Sequence, residues 1–469
     1  MIIDRNKECM VVCISSYCFI SKLCFLDEIT FMFRFLILIL LFQDNFCGAL
    51  TVEDTFQKWL IDNGATLNDV ELFRNPETNY RGWLTTKDRS GGLSPDQGLV
   101  MLIPQDLLFS KSSVLAEEGL NFLFKNAARN GIENHEFEIM VTGLIVERLA
   151  GPKSKWGPCM DMVTEDSQLR LPLNFLKPPL LNLIGFSEYY IQRIGQQKKH
   201  LRESYLFLSK FIFPHIPSIA TLSTLEAKRL FNWAYLYQYS HGTTGHYYKV
   251  SEQGETEPIS DTREMMMSCG VNFLNHHGDA RSYGPVRIDR SFYHGVFITR
   301  DHAAREEIFN NYDQPGKKRH CNFELFLRYG FVLDADRLRD CYVLNKTDIQ
   351  APPTFGVSLN GEPSSCGHAL YITKPRGLLV TLQEPLEFTN VHFYPDSVPK
   401  VCTYKLLLDH ISREHRRVEN SIGLRSNKHK TRTDEMLIAV LRGQLRILKV
   451  SSKRLSELLR NTGAEHVSL

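Results

Sequence analysis

Three short stretches of this chain decide its fold. The first is Asn275-His276, the second is EEIFNNY at residues 306–312, and the third is NFELFLRYGF at residues 322–331. Each stretch alone has little specificity, because Asn-His pairs and a tyrosine after an apolar run are common. The information lies in their order and spacing: an Asn-His pair, a short run that ends in Tyr312, and then an apolar segment with Asn, Glu and Tyr-Gly-Phe.

Length and composition indicate a globular protein with two or three domains. The chain has 469 residues, which is long for one domain. Hydrophobic residues make up 43% and charged residues 23%, as in soluble proteins. The formal net charge of +2 gives no global attraction to nucleic acid. The eleven cysteines contain no Cys-x-x-Cys knuckle. We therefore predict no zinc site, and free cysteines in a reducing compartment are the simpler interpretation.

The first fifty residues differ from the rest. Residues 35–42 form an apolar run that is shorter than the roughly 20 residues that a membrane-spanning helix needs. Read from Met32, residues 32–49 resemble a signal peptide, with Arg34 in the basic start and Cys47-Gly48-Ala49 as the small-residue end. The alternative is an extended or mispredicted N-terminus. We assign residues 1–50 as an N-terminal extension with a signal-like segment.

From Thr51 onward, apolar spacing predicts regular elements. A helix is expected from about Val52 to Asn63-Gly64. Residues 105–262 are predicted to be mostly helical, with one helix over 136–149 and another after the capping box Ser223-Thr224-Leu225-Glu226. Short strands are expected at residues 70–73, 79–88, 98–104, 265–274 and 292–299.

Two further patterns concern packing and domain limits. The helix after the capping box has a stripe formed by Leu230, Trp233, Ala234 and Tyr237. This stripe is expected in the core, with only the end of the helix near a ligand. A Pro/Gly/Ser-rich stretch at 351–365 predicts a linker. Beyond it the chain is predicted to be helical, with a leucine stripe at Leu437, Leu441, Leu445 and Leu448.

The order of helix, strand pair, helical insert, strand cluster and helical C-terminal module resembles one branch of the SET-domain protein methyltransferases. That branch includes the Rubisco large-subunit lysine methyltransferases and the actin-histidine N-methyltransferase. FQKW at 56–59 with NGA at 63–65 is most similar to the start of the actin-histidine enzyme. WGP at 156–158 and RGQLRIL at 442–448 are similar to motifs of the insert and of the C-terminal module.

The resemblance implies an α+β fold class with two domains. A SET fold of short β-sheets would occupy residues 51–345, with its helical insert at about 105–262. An all-α substrate-binding domain, like that of the Rubisco enzyme, would occupy residues 346–469.

The implied cofactor is S-adenosylmethionine, and the implied catalytic residue is Tyr312. A tyrosine hydroxyl can hold the nucleophile and the methyl group in line. Gly82 would allow close approach of the cofactor because it has no side chain. Asn275 offers both a donor and an acceptor. The resemblance places seven residues at the cofactor: Arg81, Gly82, His241, Asn275, His276, Tyr312 and Phe331.

Three positions depart from the pattern of the branch. His241 stands where the branch usually carries an arginine that contacts the cofactor's carboxylate, and a neutral imidazole does not replace a bidentate guanidinium. Cys269 and Asn272 stand where a proline and an aspartate are usual. Positions near His241 that would contact the acceptor also differ, so the choice between histidine and lysine stays open.

The resemblance therefore implies a protein methyltransferase that modifies a lysine or histidine of a non-histone protein, with actin as one candidate. The alternative is a catalytically weakened relative that binds protein, and a third reading is a secreted protein. No metal is expected at His276-His277, and no nucleic-acid or membrane partner is expected. The basic segment 412–432 is expected to be a solvated face, with a docking face as the alternative. The cytoplasm, and with it the nucleus, is the implied location, while residues 32–49 keep a secretory route open.

Overall fold

The computed structural model describes residues 9–14, 17–22, 50–77, 80–92, 97–129, 135–163, 188–246, 248–250, 256–258, 263–278, 280, 284–313, 320–333, 341–345, 379–383, 400–426 and 432–461. The chain separates into two compact units, residues 1–55 and 56–469. In the first unit, β1 (Cys9–Ile14) and β2 (Tyr17–Lys22) form an antiparallel hairpin. The signal-like segment at 32–49 and the linker at 351–365 lie outside the described residues.

The remaining strands are short. In chain order they are β3 (Thr66–Leu67), β4 (Val70–Arg74), β5 (Arg81–Thr85), β6 (Leu99–Pro104), β7 (Leu108–Ser110), β8 (Thr243–Gly245), β9 (Tyr248–Val250), β10 (Thr256–Pro258), β11 (Glu264–Ser268), β12 (Asn275–His276), β13 (Gly284–Ile288), β14 (Ser291–Phe297), β15 (Glu307–Asn310), β16 (Cys341–Asn345) and β17 (Leu379–Gln383).

The α-helices occupy the long insert and the C-terminal region. They are α1 (Val52–Asp62), α2 (Lys111–Leu115), α3 (Glu118–Arg129), α4 (Glu136–Ala150), α5 (Gly157–Asp161), α6 (Glu188–Phe211), α7 (Pro217–Ala220), α8 (Thr224–His241), α9 (Asn322–Tyr329), α10 (Lys400–Ser426) and α11 (Arg432–Asn461). No helix of the described residues is long and apolar enough to cross a membrane.

Two four-stranded sheets and one three-stranded sheet bring together distant parts of the chain. Their strand orders are β12-β15-β5-β4, β13-β14-β6-β3 and β7-β11-β8. The first sheet positions the site, because β12 and β15 pair in parallel with Asn275 opposite Phe309 and His276 opposite Asn310. Strand β15 pairs on its other side with β5, where Ile308 lies opposite Trp83. The Asn-His pair, the run ending in Tyr312 and the Arg81-Gly82 strand thus become neighbours.

Buried tryptophans make hydrogen bonds within the sheet region and within the insert. Trp83 is fully buried, and its indole Nε1 donates to the carbonyl of Gly270 at 2.9 Å. On α8, Trp233 Nε1 donates to Val163 O at 2.7 Å. The stripe of Trp233, Ala234 and Tyr237 is buried, as predicted. Helix α8 begins with the predicted capping box, in which the backbone N–H of Glu226 donates to Ser223 Oγ.

Several predicted elements are confirmed close to their predicted limits. They are α1, β4, β5, β6, α4, β14 and the C-terminal helix with its leucine stripe. The strand predicted at 265–274 is wrong in its second half, because β11 ends at Ser268. Gly270 then takes φ +112°, a conformation that side chains rarely adopt, and a 3-10 turn at Val271–Phe273 follows. The C-terminal region is also not entirely helical, since β16 pairs with β17.

The cysteines correct another expectation. Four cysteines predicted to be free form two disulfides, Cys159–Cys269 and Cys321–Cys341. Their Cα atoms are 5.9 Å and 5.8 Å apart, which is within the usual range for a disulfide. The sequence spacing did not indicate these pairs because the partners, 110 and 20 residues apart, come together only in the folded chain. Cys269, the residue at the usual proline position, is therefore crosslinked to α5.

Candidate functional site

Asn275 connects three strands through its side chain. Its Nδ2 donates to the carbonyl oxygen of Arg81 at 2.5 Å and to Glu307 Oε1 at 2.7 Å. Both N–H groups of the amide are thus engaged, and Oδ1 remains as the acceptor that Asn275 can offer to a ligand. The sequence predicted that this side chain would offer both a donor and an acceptor. In the structure the protein itself uses the donor, and the contact of Asn275 with a cofactor stays a prediction.

Glu307 and Tyr80 are site residues that sequence reasoning missed. The Tyr80 hydroxyl lies 2.7 Å and 2.8 Å from the two carboxylate oxygens of Glu307 and donates to that carboxylate. Burial raises the pKa of Glu307 above its ordinary value, and it also raises the pKa of Tyr80. The signal in the sequence was a charged residue within the short strand β15. Only the pairing of β12, β15 and β5 reveals its partners.

Gly82 has no room for a side chain. A Cβ atom at this position would overlap Glu307 Oε1 and would come within 3.1 Å of Asn275 Nδ2. Contacts inside the protein therefore already require glycine at this position. The neighbouring Arg81 directs its guanidinium away from β12, since Nη1 donates to Met162 O in the insert at 2.5 Å. The backbone carbonyl of Arg81, rather than its guanidinium, takes part in the contact between β5, β12 and β15.

Residues at and next to β12 hold Tyr312 by its hydroxyl and by its backbone N–H. Its hydroxyl donates to Leu274 O at 2.8 Å, and its backbone N–H donates to Nδ1 of the buried His276 at 3.0 Å. The rings of His276 and Tyr312 are 5.1 Å apart. His276 and Tyr312 are thus joined by a hydrogen bond and by ring contact, and Asn275 precedes His276 on β12.

Aromatic rings from the third stretch complete this unit. The Tyr329 ring lies 4.6 Å from Tyr312, and the Phe331 ring lies 6.3 Å from Tyr312 and 6.1 Å from His276. Gly330 between them takes φ +73° and ends α9, which turns both rings toward the same side. Phe331 therefore packs against His276 and Tyr312, and its predicted place at the cofactor stays a prediction.

His241 ends α8 in a polar but water-poor setting. Its Nδ1 lies 2.7 Å from Ser240 Oγ, and its ring lies 4.7 Å from Tyr237 and 6.3 Å from Phe273. Desolvation lowers the pKa of His241 to about 4. The imidazole is therefore neutral at physiological pH, and His241 supplies no positive charge at the position where an arginine was expected.

A cavity of about 1360 Å³ adjoins these groups. Tyr312 and His241 line it, whereas Arg81, Gly82, Asn275, His276 and Phe331 are not among the residues that line it. Among the described residues, the buried side-chain atoms without a hydrogen-bond partner include Gln238 Oε1, Asn272 Nδ2 and Asn310 Oδ1, and all three residues line the cavity. These atoms are buried, so the polar character of the cavity comes from the hydroxyl, imidazole, amide and guanidinium side chains that line it.

No family model and no curated protein matches the chain. Solved structures do match its fold. The structure of Rubisco LSMT bound to sinefungin and monomethyllysine gives a TM-score of 0.57 at 15% identity, covering 89% of this chain and 94% of that chain. The SET domain of LSMT bound to methyl-lysine and AdoHcy gives 0.58 at 14% identity, covering 90% and 94%.

The chain has the SET fold. The match extends over most of the chain, and the α+β SET architecture with a helical C-terminal region agrees with the fold class predicted from the sequence. Identities near 15% show the fold alone. The closer likeness to the actin-histidine enzyme stays a prediction, and so do the domain limits at 51–345 and 346–469.

The cavity of this chain fits S-adenosylmethionine in size and polarity. Pockets for drug-sized ligands measure roughly 300–1,000 Å³, so about 1360 Å³ leaves room for a cofactor and an acceptor side chain. The amide side chains of Gln238, Asn272 and Asn310 line this cavity and suit a polar ligand. Asn272, which replaces the usual aspartate, keeps a hydrogen-bond donor in this wall but adds no charge.

Proposed function

We propose that this protein is an S-adenosylmethionine-dependent methyltransferase. Its acceptor would be a lysine or histidine side-chain nitrogen of a non-histone protein. One observation carries the proposal: the Tyr312 hydroxyl, at the wall of the cavity, is fixed by Leu274 O while its backbone is fixed by His276. The SET fold and the polar cavity support it, because they supply the space for a cofactor beside this tyrosine.

Bound S-adenosylmethionine would supply an electrophilic methyl group. The acceptor nitrogen must approach that carbon in line and must be neutral, because its lone pair forms the new bond. Tyr312 donates its hydroxyl proton to Leu274 O, and the lone pairs of its oxygen can act as acceptors. They can accept an N–H of the acceptor and thereby aim the nitrogen lone pair. Tyr329, packed 4.6 Å from Tyr312, limits how far that phenol ring can move.

The finer assignments are also proposals. LSMT structures that hold lysine or methyl-lysine support a lysine acceptor, whereas the likeness at FQKW and NGA supports a histidine acceptor and makes actin the first protein to test. We propose residues 51–345 as the catalytic domain and 346–469 as the substrate-binding domain. We propose the cytoplasm and nucleus as the location, and the mass of the mature N-terminus tests this, because a start near Leu50 would support secretion instead.

A second candidate function has specific support. His241 is neutral, and Cys269 is tied to α5 by a disulfide where the branch has proline. A chain that has lost a cofactor contact and stiffened the adjoining loop could bind protein in the cavity without methyl transfer. Weak or undetectable cofactor binding together with retained binding of a protein ligand would favour this candidate.

The decisive experiment combines calorimetry with a radiolabelled methyl assay. The full chain is titrated with S-adenosylmethionine, and then incubated with labelled cofactor and either purified actin or a whole-cell lysate. We expect binding and a labelled protein band, with labelling at least about 100-fold weaker for Tyr312→Phe because the aiming hydroxyl is lost. Absence of heat at millimolar cofactor would refute the enzyme proposal, and equal labelling by Tyr312→Phe would remove Tyr312 from the catalytic role.

A further inference from the structure

The charge around the cavity is uneven. Among the described residues, three arginines line it, Arg193, Arg263 and Arg328, whereas the carboxylates are Asp313 and Glu324. Both carboxylates accept backbone N–H groups, from His320 to Asp313 Oδ1 at 2.8 Å and from Cys321 to Glu324 Oε2 at 2.9 Å. They are therefore partly occupied by the protein, and the cavity as a whole favours an anionic ligand group.

Arg328 differs from the other two arginines in its position. Arg193 and Arg263 are exposed at the rim, whereas Arg328 is half-buried at the end of α9. Its Nη2 donates to Gly242 O at 3.1 Å and its Nε donates to Tyr239 O at 3.4 Å, both at the C-terminal end of α8. Its guanidinium also lies over the Tyr329 ring at 5.2 Å. These contacts hold a cation beside the neutral His241.

The contacts leave Arg328 able to bind a ligand. A guanidinium has five N–H donors in a fixed fork, and the two carbonyls engage two of them. A planar fork with donors to spare suits a carboxylate, which it can bind through two parallel hydrogen bonds. The C-terminal end of a helix concentrates negative partial charge, so a carboxylate could not approach α8 without a cation there.

We propose that Arg328 is the carboxylate-binding residue of the cavity. Arg328 belongs to α9, and its guanidinium reaches the C-terminal end of α8. There it supplies the positive charge that His241 lacks. The carboxylate belongs to the amino-acid end of the cofactor or to an acidic side chain of a protein bound in the cavity. The first source rests on the proposed function, whereas the second does not. Through Tyr329, which contacts both Arg328 and Tyr312, the anion site adjoins the proposed reaction centre.

The test compares Arg328→Gln with wild type in calorimetry of the full chain. The ligands are S-adenosylhomocysteine, its decarboxylated analogue and succinate. If the carboxylate is the cofactor's, Arg328→Gln weakens S-adenosylhomocysteine binding about 10- to 100-fold but leaves binding of the decarboxylated analogue within about threefold. If the carboxylate is the substrate's, both nucleosides bind unchanged and succinate binding is lost. Either result supports the proposal.

Two controls separate a ligand contact from a structural one. Arg263→Gln removes a second cavity arginine, which donates to Thr244 O at 2.6 Å, and is expected to leave S-adenosylhomocysteine binding unchanged. Thermal melting reports on folding, because Arg328 also bonds the end of α8. Equal losses of S-adenosylhomocysteine and its decarboxylated analogue, or no change with any ligand, would overturn the proposal. Wild type that binds succinate but neither nucleoside would refute the proposed function and leave Arg328 as an anion site.

Discussion

Asn275 and Glu307 are joined by a hydrogen bond of 2.7 Å between the paired strands β12 and β15. The contact fixes the orientation of the asparagine amide, because the same Nδ2 also donates to Arg81 O. Its acceptor, Oδ1, is thereby directed away from Glu307. A carboxylate that the sequence did not single out therefore decides what Asn275 can offer to a ligand.

The first prediction concerns Glu307 and pH. Burial raises the pKa of its carboxyl, so the folded state disfavours the charged form relative to the unfolded state. Stability from this group is greatest below the unfolded pKa of about 4.3, and it is lost as pH rises through the higher folded pKa. Glu307→Gln keeps an acceptor for Asn275 and Tyr80 but cannot ionise. Its stability relative to wild type should increase from pH 4 to pH 8, measured by urea unfolding. A difference that does not vary with pH would contradict the prediction.

The second prediction concerns Gly82→Ala. The added methyl group would overlap Glu307 Oε1 and crowd Asn275 Nδ2. Strand β5 must therefore move relative to β15 and β12. We expect a loss of about 1–3 kcal/mol in the free energy of unfolding and weaker binding of S-adenosylhomocysteine. Gly195→Ala on α6 is the matched control, because a Cβ there meets nothing within 4 Å. If Gly82→Ala has the same stability and the same affinity for S-adenosylhomocysteine as Gly195→Ala, the packing of Gly82 against Glu307 and Asn275 is not as tight as described.

The third prediction concerns the crosslink between Cys159 and Cys269, which spans 110 residues. Removing a disulfide of this kind typically costs about 2–4 kcal/mol. Cys269→Ser should lower the melting temperature, and dithiothreitol should lower that of wild type toward the same value. Peptide mapping without reductant should recover the two cysteines in one crosslinked fragment. Free thiols at both positions in protein purified without reductant would contradict the disulfide.

The fourth prediction concerns Trp83. Its indole N–H bonds the carbonyl of Gly270, the residue with φ +112° at the turn before β12. Trp83→Phe leaves this buried carbonyl without its partner and opens a small cavity, at a cost of about 2–3 kcal/mol. Trp59→Phe, at a partly buried position packed against the core, serves as the control and should cost less. Chemical denaturation of both variants provides the comparison.

The elements with strong local signals were predictable. The capping box at Ser223 and Glu226 satisfies backbone groups within one turn. The spacing of apolar residues at 136–149 predicted the buried helix α4. The strand predicted across 265–274 failed because a positive φ at Gly270 interrupts it, and apolar content alone does not reveal such a turn. The strand β17 was missed for a related reason, since a short strand depends on a partner, β16, that lies far away in sequence.

The sequence by itself determined the fold class, the order of elements and the grouping of Asn275, His276, Tyr312 and Phe331, because these lie in a few short stretches with recognisable order. Only the tertiary structure decided the contacts between stretches. It brought Glu307 to Asn275, joined Cys269 to Cys159 and placed Arg328 at the end of α8 beside His241. The physical reason is that hydrogen bonds, crosslinks and local charge depend on distances between side chains that are remote in sequence, and those distances exist only after the sheets and helices have packed.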